Sequence, residues 1–306
     1  MSGEEPTVPG AVPAPPRRNV EERLLGRQVG HELRRHAVDV AMRFVALAAA
    51  IVVIIPLVAI VGYVLVRGLP TLTLDFLTHG SGDTESPGAL NAILGSLQMV
   101  PVGILIGGTL GMLAGIYLAE FAGSRFAAAG TFLVDVLLGV PSILAGILLY
   151  STVVTYWTGS SAVAGALALA VIMFPIVIRA TEEVLRLVPG SIREASLALG
   201  IAQWRTVVSV VMPVARAGLL TGLMLAFARG FGETAPLLFT ARGSEALNVG
   251  DWQSPMAALP LFVYQYSRLP NDLYVSQAWS AAIVLLAIVL AINVIVRGRS
   301  ITSRVE

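Results

Sequence analysis

The 306-residue chain contains no cysteine and no lysine. Without cysteine there is neither a disulfide nor thiolate chemistry to consider. Without lysine there is no Walker A phosphate loop, so the chain is not itself a P-loop ATPase. Histidine is scarce as well. His31, His36 and His79 lie apart in polar segments and suggest no metal cluster. No metal, cofactor or nucleic-acid partner is expected, and the scattered acids offer no catalytic constellation. Charge of either sign is thin, at 13% of residues, and all 20 basic residues are arginines.

What fills the chain is apolar: 56% of residues are hydrophobic, a balance that belongs to membrane proteins. The expected fold is all-α and polytopic, with six transmembrane helices. Residues 1–19 form a proline-rich tail expected to be disordered, and residues 20–43 an arginine-rich amphipathic segment. The first span covers 44–66, long enough at about 1.5 Å per residue to cross about 30 Å of hydrocarbon. A core with five further spans occupies 91–296, and 297–306 is a short tail. The later spans are expected at Ala92–Leu118, Thr131–Tyr156 with a kink at Pro141, Ala162–Ile178, Val207–Phe227 with an extension toward Thr240, and Trp279–Val296. Gly103, Gly107, Gly111 and Gly115 recur every fourth residue, which places them along one helix face as a packing seam.

Arginine placement orients the chain. With the N-terminus cytoplasmic, fifteen arginines fall on inner segments and only Arg67, Arg242 and Arg268 on outer ones. This bias puts the protein in the cell membrane with both termini in the cytoplasm, against membrane lipid along its spans. The outer face, with six acids, is either a docking surface or simply a solvated one.

One polar stretch interrupts the apolar pattern, from Thr181 to Pro213. Pro189-Gly190 ends the incoming helix. Ser191 to Glu194 read S-x-x-E, which predicts a capping box opening a helix over Ile192–Leu199. Gly200 is placed to end that helix in the left-handed conformation. A further helix is expected from Gln203 into the fifth span. Two short helices with a fixed corner make a docking element on the cytoplasmic surface.

Glu194, Ala195, Ser196, then Gly200, then Val210-x-Met212-Pro213 resemble the EAA loop of ABC importer permeases, whose pattern is E-A-A, three residues, G, nine residues and I-x-L-P. The spacing matches throughout; Ser196, Val210 and Met212 are conservative departures. The resemblance implies a type I importer permease fold (MetI-like) in which this helix sits in a cleft of a separate ATP-binding cassette subunit, present in two copies. Glu194 then either docks or only caps its helix, and the two roles are compatible. Arg229 to Ala241, RGFGETAPLLFTA, together with GVPSILAG at Gly139–Gly146, resemble the phosphate-specific branch of these permeases. That likeness implies inorganic phosphate as substrate, a second permease subunit and an extracytoplasmic phosphate-binding protein.

Arg229 lies about 24 Å along a helix from Pro213, beyond mid-membrane, where an unpaired arginine is costly. At i and i+4 it can pair with Glu233. It can equally offer its guanidinium to a phosphate oxyanion, with Glu233 holding it and accepting a hydrogen bond from a protonated phosphate oxygen. Thr234 is a third pathway candidate through its hydroxyl. Permeases for another oxyanion, a stand-alone secondary transporter and a membrane enzyme are the competing classes.

Overall fold

The computed structural model describes residues 18–302. The expected proline-rich tail lies outside them except for its last two residues, which already belong to the first helix. Residues 303–306 of the expected C-terminal tail also lie outside.

The chain divides into two compact units at Gly62/Tyr63. The first is a single helix, the greater part of α1 (Arg18–Gly68), with no break where the amphipathic segment meets the first span. Between Phe44 and Ile60 its side chains are apolar and exposed, as a lipid-facing helix requires.

The second unit is a helical bundle. It contains α2 (Leu74–Thr78), α3 (Leu90–Glu120), α4 (Arg125–Gly139), α5 (Ser142–Leu149), α6 (Ala162–Arg186), α7 (Gly190–Ala198), α8 (Gln203–Thr206), α9 (Met212–Gly232), α10 (Ala235–Thr240), α11 (Leu259–Tyr266) and α12 (Asp272–Thr302). Wider π-type turns extend α5 over Tyr150–Thr158 and join α8 to α9 over Val207–Val211. Among the described residues no strand forms; a lone bridge joins Arg242 to Met256. Five helical segments are long and apolar enough to cross a membrane, and the bent pair α4–α5 makes six if it is one span.

The centre of the unit is the crossing of α3 with α6, and the glycine seam explains it. A Cβ at Gly111 would stand 2.8 Å from the Phe174 carbonyl oxygen, and one at Gly115 2.7 Å from that of Ile178. Gly103 and Gly107 meet Ala166 and Ala170 in the same way. Small residues here let two backbones touch, which is how helices associate where lipid removes the hydrophobic drive. Around this contact, Met99, Leu169, Met173, Phe231 and Leu237 close the core.

Three local expectations are corrected. The expected kink at Pro141 is a break of 97°. Val140 is extended, with ψ 129°, as a residue before proline prefers, and Pro141 itself has ψ 130°, so two consecutive residues leave the helix. The fifth span does not continue to Thr240: α9 stops at Gly232, Glu233 is extended, and α10 starts afresh at Ala235-Pro236, proline being well suited to a first turn. The third expected helix starts before Thr131: a tight turn over residues 121–124 leads into α4 at Arg125, which Ser124 caps by accepting the Ala127 amide at 3.1 Å.

Candidate functional site: a groove and a surface loop joined by α9

The loop begins where Pro189, with φ −55° and ψ 138°, turns the chain out of α6. The expected capping box does not form. The Pro189 carbonyl already accepts the Ile192 amide, so α7 starts at Gly190 and Ser191 lies inside its first turn, too late to cap. A longer side chain does the fastening instead. Arg193 pairs with Glu120 at the end of α3 at 3.0 Å and donates to the Leu185 and Val188 carbonyls at 2.8 and 2.7 Å. It thereby satisfies carbonyls that the end of α6 leaves open. Beneath it, Ile192 packs onto Leu185, Val188, Val211 and Leu219.

The end of α7 is as expected. Gly200 has φ +78°; its amide bonds the Leu197 carbonyl and that of Ile201 bonds Ser196, a Schellman closure. Ser196 is buried, and its hydroxyl meets that of Thr206 at 2.8 Å, tying α7 to α8. Glu194 and Ala195 point outward. Beside them stand side chains that sequence reasoning passed over: Leu187 and Leu199, each 81% exposed, and Trp204. Their exposure depends on how three short elements meet, so no linear pattern could have disclosed it. All three are exposed apolar side chains on this loop, of the kind that a protein partner covers.

Through the π-type turns the loop runs directly into α9, whose last turn carries Arg229. The guanidinium Nε lies 3.0 Å from Glu233 Oε1, with Arg229 57% exposed and Glu233 only 9%. The carboxylate is set into the protein and the cation stands out from it. Arg229 edges a groove of about 360 Å³. Its other walls are the α4–α5 corner (Leu137, Leu138, Val140, Pro141, Ser142) and the face of α6 at Val171–Ile176. The GVPS stretch thus supplies the wall facing Arg229. The groove is mostly apolar, with Arg229 as its one charged lining residue. A cation on a greasy wall attracts an anion strongly, because little competing polarity surrounds it.

Glu233 and Thr234 do not line the groove; Thr234 is half-buried at the start of α10. Gly230 is a packing position, where a Cβ would come 2.7 Å from Met173 Sδ, whereas Gly232 faces open space. Asp135 of α4 lies 3.6 Å from Arg179 of α6. Two further acids are occupied with their own turns: Glu85 and Ser86 amides hold the Asp83 carboxyl below its usual range, and the Ser254 hydroxyl and Gln253 amide do so for Asp251.

A helical bundle with such a loop inserted before its penultimate long span is the architecture of an importer permease, and the comparisons agree. The family described as binding-protein-dependent transport system inner membrane component matches residues 111–298. The phosphate transport system permease protein PstA of Haemophilus influenzae is 43% identical over 233 residues, 76% of this chain and 82% of that one. PstA 1 of Mycobacterium tuberculosis strain H37Rv is 38% identical over 249 residues, 79% and 81% of the two chains. The chain belongs to the PstA family of phosphate transport system permeases. Its fold also resembles a chain of the inward-facing MetNI methionine ABC transporter, with a TM-score of 0.51 at 19% identity over 68% of this chain and 93% of that one.

Proposed function

We propose that the chain is the PstA-type permease subunit of an ATP-driven importer of inorganic phosphate, with Arg229 as its anion-handling residue. The observation that carries this reading is the position of Arg229 on an apolar groove in a member of this family. Its Nε is turned to Glu233, leaving the terminal nitrogens available as a fork for two phosphate oxygens. Glu233 acts behind it as the anchor that fixes its direction. Thr234 belongs to the same turn and reaches the anion only if the break between α9 and α10 moves.

At the other end, Glu194 and Ala195 with the exposed leucines and Trp204 form the face that enters a cleft of an ATP-binding cassette subunit. Ser196 and Gly200 support that face from within by fixing the corner between α7 and α8. The working assembly is this chain, a second PstC-like permease, two ATPase subunits and an extracytoplasmic phosphate-binding protein. Both termini and the loop lie in the cytoplasm. Residues 91–296 form the permease core, residues 44–66 an additional span, and residues 20–43 a cytoplasmic segment.

Reconstitution with these partners in vesicles tests the reading. ATP-dependent accumulation of phosphate, unaffected by excess sulfate, is expected. Uptake of sulfate at a comparable rate would return the chain to the broader class of oxyanion permeases.

A further inference from the structure

Between the loop and the groove lies one buried charge to which neither site assigns a role. Glu182, on α6, has a fully buried side chain. Its Oε1 accepts the Thr131 hydroxyl of α4 at 2.8 Å and meets Arg186 Nη2 at 2.6 Å. Its Oε2 has no hydrogen-bond partner and stands 3.6 Å from Arg179 Nη1, near enough for charge compensation alone. Arg179 also reaches across to Asp135 of α4 at 3.6 Å.

We propose that Glu182 is a positioning residue that pins the register of α4 on α6. The remaining contact between the two helices is apolar, built on Ala127, Val134 and Ile178 with Phe174 and Leu118 packed against them. Apolar contacts of that kind allow one helix to slide along another, whereas a buried carboxylate with a dedicated partner permits only one register. Displacing α4 by a turn would take the Thr131 hydroxyl away and put apolar side chains against the carboxylate, a position that charge tolerates poorly. The placement gives the pin a consequence. Leu185, one turn beyond Glu182, is the seat of α7 through Arg193. Thr131 lies on the same helix as Leu137 and Leu138, which wall the groove. The seat of α7 and the groove wall therefore move as one body, and motion entering at the loop reaches the wall opposite Arg229. This last step rests on the reading of α7 as the docking helix; the pinning of α4 on α6 does not.

The absence of cysteine makes the test direct. Spin labels on cysteines introduced at Phe132 of α4 and Glu183 of α6, both exposed and both outside the docking face, report the α4–α6 separation in the reconstituted transporter without nucleotide and trapped with ATP. The same single distance is expected in both states. Thr131→Val, which keeps shape but removes the hydroxyl, should broaden that distance and lower the phosphate moved per ATP hydrolysed several-fold in an assembled complex. Thr131→Ser should restore both. Glu182→Gln should act like Thr131→Val; should it fail to assemble, the Thr131 pair carries the result. A wild-type distance that shifts between states, or a Thr131→Val complex with wild-type coupling, overturns the proposal. Loss of the docking reading would show separately, as ATPase attachment that survives disruption of Gly200.

Discussion

The two ends of the Gln203–Gly232 helical run are built to opposite requirements. At the loop end the polar groups that hold the corner together are committed to one another. Arg193 serves one carboxylate and two carbonyls, Ser196 and Thr206 share a hydrogen bond, and the amides of Gly200 and Ile201 close α7. At the groove end Arg229 has one ion-pair partner among the described residues and leaves more than half of its side chain exposed. A lever must transmit force without yielding, so its bonds are internal. A binding group must exchange partners, so part of its capacity stays open. On the proposed function the first end transmits force and the second handles the anion, and the difference can be attacked at either end.

The largest effect is expected at the groove. Arg229→Gln removes the charged fork and should lower ATP-driven phosphate uptake by about 10- to 100-fold, the value of one or two charge-assisted hydrogen bonds. Assembly should survive, because the Gln side-chain amide stands where Arg229 Nε stood and can still donate to the buried Glu233 carboxylate. Uptake assays beside size-exclusion profiles check both parts. Next is Arg193→Ala, which leaves Glu120 buried and unpaired and should destabilise the protein by about 2–3 kcal/mol, read as a lowered thermal midpoint and faster proteolysis of the loop. Gly200→Val forces a branched residue to φ +78° at a cost of about 1–3 kcal/mol and should weaken retention of the ATPase subunit on purification. The smallest change is Ser196→Ala, at about 1 kcal/mol. It leaves the Thr206 hydroxyl without its partner while the outward face of α7 is untouched, so ATPase retention should match wild type.

The parts legible in the sequence were those set by local chemistry. Gly200 takes the left-handed cap because a side chain there is strained. The four glycines at every fourth position form the α3–α6 seam because that period keeps them on one face. Arg229 and Glu233 pair because i and i+4 are neighbours on a helix. What escaped notice depends on register or on distant elements. Ser191-x-x-Glu194 has the letters of a capping box, yet Pro189 starts the helix two residues too early for it. Pro141 was read as a kink, although two extended residues in succession give a right-angled break and build the groove wall. Leu187, Leu199 and Trp204 are unremarkable as letters, and their exposure is set by how α6, α7 and α8 end and turn. Glu182 sits in a string of ordinary charged residues, and only the approach of α4 buries it.

The claim that one helical run joins a closed end to an open one is tested most directly by measuring two quantities on the same two variants. Phosphate uptake and ATPase-subunit retention would be determined together for Arg229→Gln and Gly200→Val. The account predicts that Arg229→Gln loses uptake with the ATPase still bound, and that Gly200→Val loses the ATPase and uptake with it. An Arg229→Gln complex that takes up phosphate at the wild-type rate, or a Gly200→Val complex that retains both functions, would contradict it.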